Sequence, residues 1–139
     1  MFELEYATYT LRGTVTADSP FVRFDVTPKS ATGALWGPGI DASPSRKHEG
    51  VQFFDLDRGI LANAETDSGT MTAVVMDPSA GPAQVASDPS GCVYLLVADK
   101  PFTCYIAAAW RGMGVFPCAE SWFARVRAFA DGLKKRSAR

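Results

Sequence analysis

Helical periodicity occurs once in this chain, at its end. Trp122, Phe123, Val126, Phe129, Ala130 and Leu133 recur at the spacings that place side chains on one stripe of a helix, while Glu120, Arg125, Arg127 and Asp131 fall elsewhere. The spacing predicts a helix over Ala119 to Asp131, with Pro117 suited to its entry and Gly132 suited to a left-handed stop. One face of that helix is built for burial. The two apolar runs before it, Cys92 to Ala98 and Phe102 to Trp110, meet at the short turn Asp99-Lys100-Pro101 and are expected to pair antiparallel, with the helix laid across or beside them.

Upstream, period-two patterning dominates. Glu3 to Arg12 is rich in aromatic and β-branched residues and reads as a strand, and Phe21 to Val26 reads as another after the turn Ala17 to Pro20. In the second, Arg23 and Asp25 share one face while Val22, Phe24 and Val26 share the other, the pattern of a half-buried strand. Val51 to Asp55, Arg58 to Asn63 and Thr70 to Met76 are three more strands separated by Asp/Gly turns. Two irregular stretches, Thr27 to Gly50 and Asp77 to Gly91, read as loops, and a loop as long as the first is commonly functional or disordered. About seven strands followed by one amphipathic helix make a mainly β fold. The expectation is an antiparallel β-sandwich with a C-terminal helix, forming one domain over residues 1–139.

Composition narrows the function classes. A hydrophobic content of 47% beside 21% charged residues is a globular balance, and a net charge of -1 argues against a nucleic-acid binder. Residues 119–139 carry six Lys/Arg against two acids, so the basic tail Lys134 to Arg139 can meet an acidic partner or simply keep a solvated end soluble. Cys92, Cys104 and Cys118 form no Cys-x-x-Cys pair, and at least one is unpaired, which favours a reducing compartment. The amino terminus lacks the pattern of a secretory signal, and no run has membrane-spanning length, so no membrane partner is expected. A complete chain of this kind is expected in the cytoplasm; for a piece of a longer protein that expectation does not follow.

The run Val93 to Val97, then Tyr105 to Trp110, Gly114 to Pro117, Glu120 to Trp122 and Phe129 to Leu133, resembles the carboxy-terminal end of a bacterial family. That family is the domain of unknown function 4861, a galactose-mutarotase-like β-sandwich found beside polysaccharide-degrading enzymes. Upstream, Gly39-Ile40 and His48-Glu49-Gly50 resemble the family's Gly-Ile and His-x-Gly loop. Members of the family are longer, so the resemblance implies a carboxy-terminal piece or a shortened relative in which a shared site is rebuilt by homo-oligomerisation. It also implies a carbohydrate context.

The residues themselves offer a few candidate sites. Ser43 to Gly50 concentrates Arg46, Lys47, His48 and Glu49 in a loop. A histidine beside a carboxylate can act as acid or base near neutral pH, and Arg46 and Lys47 can hold a uronate carboxylate. The competing reading is a wet Ser/Pro-rich loop whose neighbours point apart. Asp55 and Asp57 can be paired carboxylates of the glycosidase type, or parts of a turn with Arg58. Trp36, between Leu35 and Gly37, is either a sugar platform or a plug in the core, and Trp110, beside Arg111, either lines a cleft or anchors its strand against the helix. Trp122 belongs to the core. No metal-ligand spacing or cofactor motif is legible. Three functions compete: a protein that binds or processes acidic saccharides, a non-catalytic assembly domain that associates through sheet edges, and a small barrel enzyme for an apolar metabolite.

Overall fold

A computed structural model describes residues 1–30, 33–41, 50–97 and 99–137. Their ten strands are β1 (Phe2–Glu5), β2 (Tyr9–Thr14), β3 (Phe21–Pro28), β4 (Gly39–Asp41), β5 (Gly50–Asp55), β6 (Ile60–Glu65), β7 (Thr70–Met76), β8 (Gln84–Ser87), β9 (Cys92–Leu96) and β10 (Phe102–Trp110). Among the described residues there is one α-helix, α1 (Ala119–Ser137), which follows β10. Seven strands form one antiparallel sheet in the order β1-β2-β3-β10-β7-β6-β5, and three form a second in the order β4-β9-β8. The molecule is therefore a sandwich of unequal sheets with the helix on the outer face of the larger one. β1 and β5 stand at opposite edges of the large sheet, so the described strands do not close into a barrel.

The large sheet is apolar on both faces because it separates two cores. Alternation along β6, β7 and β10 sends Ile60, Ala62, Met71, Ala73, Val75 and Ala107 towards the helix, where they meet Trp122, Phe123, Val126, Ala130 and Leu133. Small residues on the central strands let the Trp122 ring lie close, and its indole N–H donates to the Thr72 carbonyl at 3.2 Å. Phe129 stacks on Phe21 at 3.8 Å between ring centres. Alternate residues of the same strands, Leu61, Val74, Met76, Phe102 and Cys104, face the smaller sheet and meet Ile40, Leu95 and Val97. Burial holds the Cys104 thiol up at about 12, so it packs as a neutral hydrophobe.

Four expectations from the sequence are corrected. The first segment is a hairpin rather than one strand: the chain turns at Tyr6–Thr8, where the Tyr6 N–H donates to the Tyr9 carbonyl. β9 and β10 do not pair, because the Asp99–Pro101 connection carries the chain from one sheet to the other; β9 pairs with β4 and β8, and β10 with β3 and β7. Both irregular stretches carry short strands, β4 in the first and β8 in the second. The helix runs through Gly132 to Ser137, since burying Leu133 extends the apolar stripe by a turn and outweighs the roughly 1 kcal/mol that glycine costs inside a helix. Lys134, Lys135 and Arg136 thereby occupy its last turn, where cations suit the negative end of the helix dipole. No helix among the described residues is long and apolar enough to cross a membrane.

Candidate functional site

The smaller sheet covers only part of the face it packs on. Along β10, Tyr105, Ala107 and Ala109 point to the helix side, and Phe102 and Cys104 enter the second core. Ile106, Ala108 and Trp110 continue that second face past the end of the smaller sheet, and all three are exposed, Trp110 at 56%. A central strand that leaves a tryptophan in solvent is unusual, and the ring is held in place. Its indole N–H donates to the Ser68 carbonyl at 3.0 Å, in the turn joining β6 to β7. Arg111 clasps the same turn, its Nη2 donating to the Thr66 carbonyl at 2.9 Å and its backbone N–H to the Gly69 carbonyl at 2.9 Å. Gly112 lies against the benzo edge of the indole, where a Cβ would come within 2.5 Å. The ring is thus fixed from two sides.

Beside it runs a polar cross-strand row, Ala108–Thr72–Asn63–Gln52, on β10, β7, β6 and β5. Asn63 is 8% exposed, and its side-chain oxygen has no hydrogen-bond partner among the described residues. Glycine at position 50 leaves that amide room, because a Cβ there would stand 2.8 Å from the Asn63 Oδ1. This face thus carries a fixed aromatic plane at Trp110, a half-buried hydroxyl at Thr72 and two amides, of which the Asn63 one is buried. Thr72, Asn63 and Gln52 are absent from the candidates that the sequence offers. Strand alternation marks them once the face is known.

Arg46, Lys47, His48 and Glu49 lie outside the described residues. The strand that follows them begins at Gly50, opposite Glu65, at the Trp110 end of the sheet. Trp36 is elsewhere. Its backbone bonds Val97 in both directions, at 3.0 and 2.7 Å, and its ring meets Tyr9 edge-on at 5.4 Å, half-buried on the flank of the second core. Tyr9 is level with the start of β10 and Trp110 ends that strand, so the two tryptophans are separated by roughly 30 Å along the strand direction. They do not share a site. Trp110 faces away from the helix rather than anchoring against it, and Trp110 and Arg111 are the candidates that the structure brings together. No family model and no curated protein matches the chain.

The other charged groups are tied to turns and ladders. Asp55 caps the 3-10 turn Leu56–Arg58, accepting from the Arg58 backbone N–H, and Gly59 ends it in the left-handed region at φ 63. The Arg58 guanidinium bridges Asp131 of the helix at 2.8 Å and Asp55 at 2.7 Å, which holds the Asp131 carboxyl below its usual range. Asp55 and Asp57 thus belong to a turn, as the alternative reading had it. Asp25 feels opposing influences: partial burial raises its pKa, but Arg23 and Thr103 hydrogen-bond the charged form and lower it overall. Among the described residues no three His, Cys, Asp or Glu side chains gather as metal ligands.

Proposed function

We propose that the protein is a saccharide-binding β-sandwich directed at acidic, uronate-containing sugars. The observation that carries this reading is the Trp110 indole, solvent-facing yet fixed by the Ser68 carbonyl and by Gly112, beside the Thr72–Asn63–Gln52 row. An aromatic plane already held in its bound orientation loses little conformational entropy when a sugar stacks on it. Arg111 uses one guanidinium nitrogen to clasp the turn, leaving further N–H groups for a carboxylate. In this reading Arg46 and Lys47 add to the carboxylate site, and His48 with Glu49 would turn binding into acid/base processing. The resemblance to the galactose-mutarotase-like family points the same way.

The test is titration of a panel of neutral and uronate-containing oligosaccharides against wild type, Trp110→Ala, Arg111→Ala and Arg46→Ala. Uronate binding that is lost in the first variant and loses its preference for acidic sugars in the arginine variants supports the reading. Equal binding by wild type and Trp110→Ala rejects the platform.

A second reading, an assembly domain that forms homo-oligomers, is favoured by β1, an edge strand exposed along its whole length with Phe2 and Leu4 in solvent. Light scattering across a dilution series separates it from the first: a stable oligomer that binds no sugar favours assembly.

A further inference from the structure

At the opposite end of the large sheet from Trp110, two turns and the end of the helix enclose a cleft of about 290 Å³. Leu56, Met76, Pro78, Pro82 and Ala83 make its apolar walls, and the charged groups lining it among the described residues are Asp57, Arg58, Asp77 and Lys134, with the Lys100 ammonium near Gly81 at its rim. Its size lies at the lower end of the range for small-molecule sites. Several of these charges are already committed. Asp77 accepts from the Ser79 backbone N–H at 3.0 Å and the Ser79 hydroxyl at 2.6 Å, and Arg58 is held by Asp55 and Asp131. Two opposite charges have capacity left. The Lys134 ammonium donates to the Asp57 carbonyl at 2.7 Å and otherwise acts on the Asp131 carboxylate only through space, helping to lower its pKa. The Asp57 carboxylate has no side-chain partner among them, and the Nη2 of Arg58 has none either. The wall opposite is shaped by Gly81, whose φ of 82 and ψ of -170 lie in a region that essentially only glycine adopts.

An ammonium and a carboxylate, both incompletely paired and joined through the Lys134 contact to the backbone of Asp57, match a ligand carrying both signs close together. A purely anionic ligand would meet Asp57 and Asp77, and a purely cationic one would meet Arg58 and Lys134, so like charges disfavour each. We propose that this cleft binds a small zwitterion of the amino-acid class. Its carboxylate faces Lys134 and the free edge of Arg58, its ammonium faces Asp57, and its apolar side chain lies among Leu56, Met76 and the prolines. This site is independent of the saccharide face.

The test is calorimetric titration of the full chain with leucine, with leucinamide, which lacks the carboxylate, and with 4-methylpentanoate, which lacks the ammonium. Each is repeated on Lys134→Met and Asp57→Asn, with circular dichroism confirming that the variants fold. Leucine is expected to saturate a site that each half-charged analogue fills at least roughly tenfold more weakly, a difference of about 1.4 kcal/mol. Lys134→Met is expected to erase the preference over leucinamide, and Asp57→Asn the preference over 4-methylpentanoate. Absence of saturable leucine binding at millimolar concentrations, or leucinamide or 4-methylpentanoate binding as tightly as leucine, overturns the proposal whatever the saccharide titrations show.

Discussion

Trp110 and Trp122 show how environment assigns a role to one residue type. Trp122 is fully buried between the helix and the large sheet, so Trp122→Ala opens a cavity and is expected to cost about 3 to 5 kcal/mol in chemical denaturation. Trp110→Ala removes one exposed hydrogen bond and the partial burial of a half-exposed ring, and the same measurement should register about 1 to 2 kcal/mol, well below the Trp122 loss. A large loss at Trp110 would make it a structural clasp. Asp88 stabilises locally in another way. Its carboxylate accepts from the Ser90 hydroxyl at 2.6 Å, the Tyr94 hydroxyl at 2.7 Å and the backbone N–H groups of Ser90 and Cys92, binding the β8–β9 turn and lowering its pKa to about 2. A depressed carboxylate contributes stability that is present above its unfolded value near 4 and is lost as pH falls through the folded value. Thermal melts should therefore show wild type above Asp88→Asn at neutral pH, with the gap closing between about pH 4 and about pH 2. A gap that persists to the bottom of that window would mean the carboxylate charge is not what holds the turn.

The terminal helix is the element whose identity is plainest in the sequence, because its stripe of Trp122, Phe123, Val126, Ala130 and Leu133 repeats at one period and all five are buried. Its end is less plain. Gly132 reads locally as a stop, yet the helix continues, because tertiary burial of Leu133 decides the matter and local propensity does not. A Cβ at position 132 would meet nothing within 4 Å, so Gly132→Ala should stabilise the protein by about 0.5 to 1 kcal/mol, read as a raised denaturation midpoint. A loss of stability would place the helix end near Gly132 after all. The strands divide similarly. Alternation in β3 and β10 gives the face each side chain takes, but β9 and β10 look alike as apolar runs, and nothing in their composition says that they belong to different sheets. The exposure of Trp110 was hidden for the same reason: an apolar strand end reads as core until the extent of the covering sheet is known.

One sheet serves two cores, and this couples the whole molecule. Val74 and Val75 are adjacent and both buried, the first facing the small sheet and the second the helix, so neither layer can be lost without exposing a wall of the other. Denaturation followed by far-ultraviolet dichroism and by tryptophan fluorescence, to which the buried Trp122 contributes, should give coincident transitions. Separate transitions would mean that the layers fold independently. The same arrangement accounts for the candidate site, since a three-stranded sheet cannot cover a seven-stranded one and leaves Ile106, Ala108 and Trp110 open at one end. The charged candidates Arg46 to Glu49 precede a strand that starts at that same end, whereas Trp36 lies at the other. The most direct measurement is calorimetric titration of wild type and Trp110→Ala with uronate-containing oligosaccharides. Saturable binding by wild type and its loss in a variant that melts within a few degrees of it are the predicted results; no binding by wild type, or undiminished binding by the variant, would contradict the saccharide face.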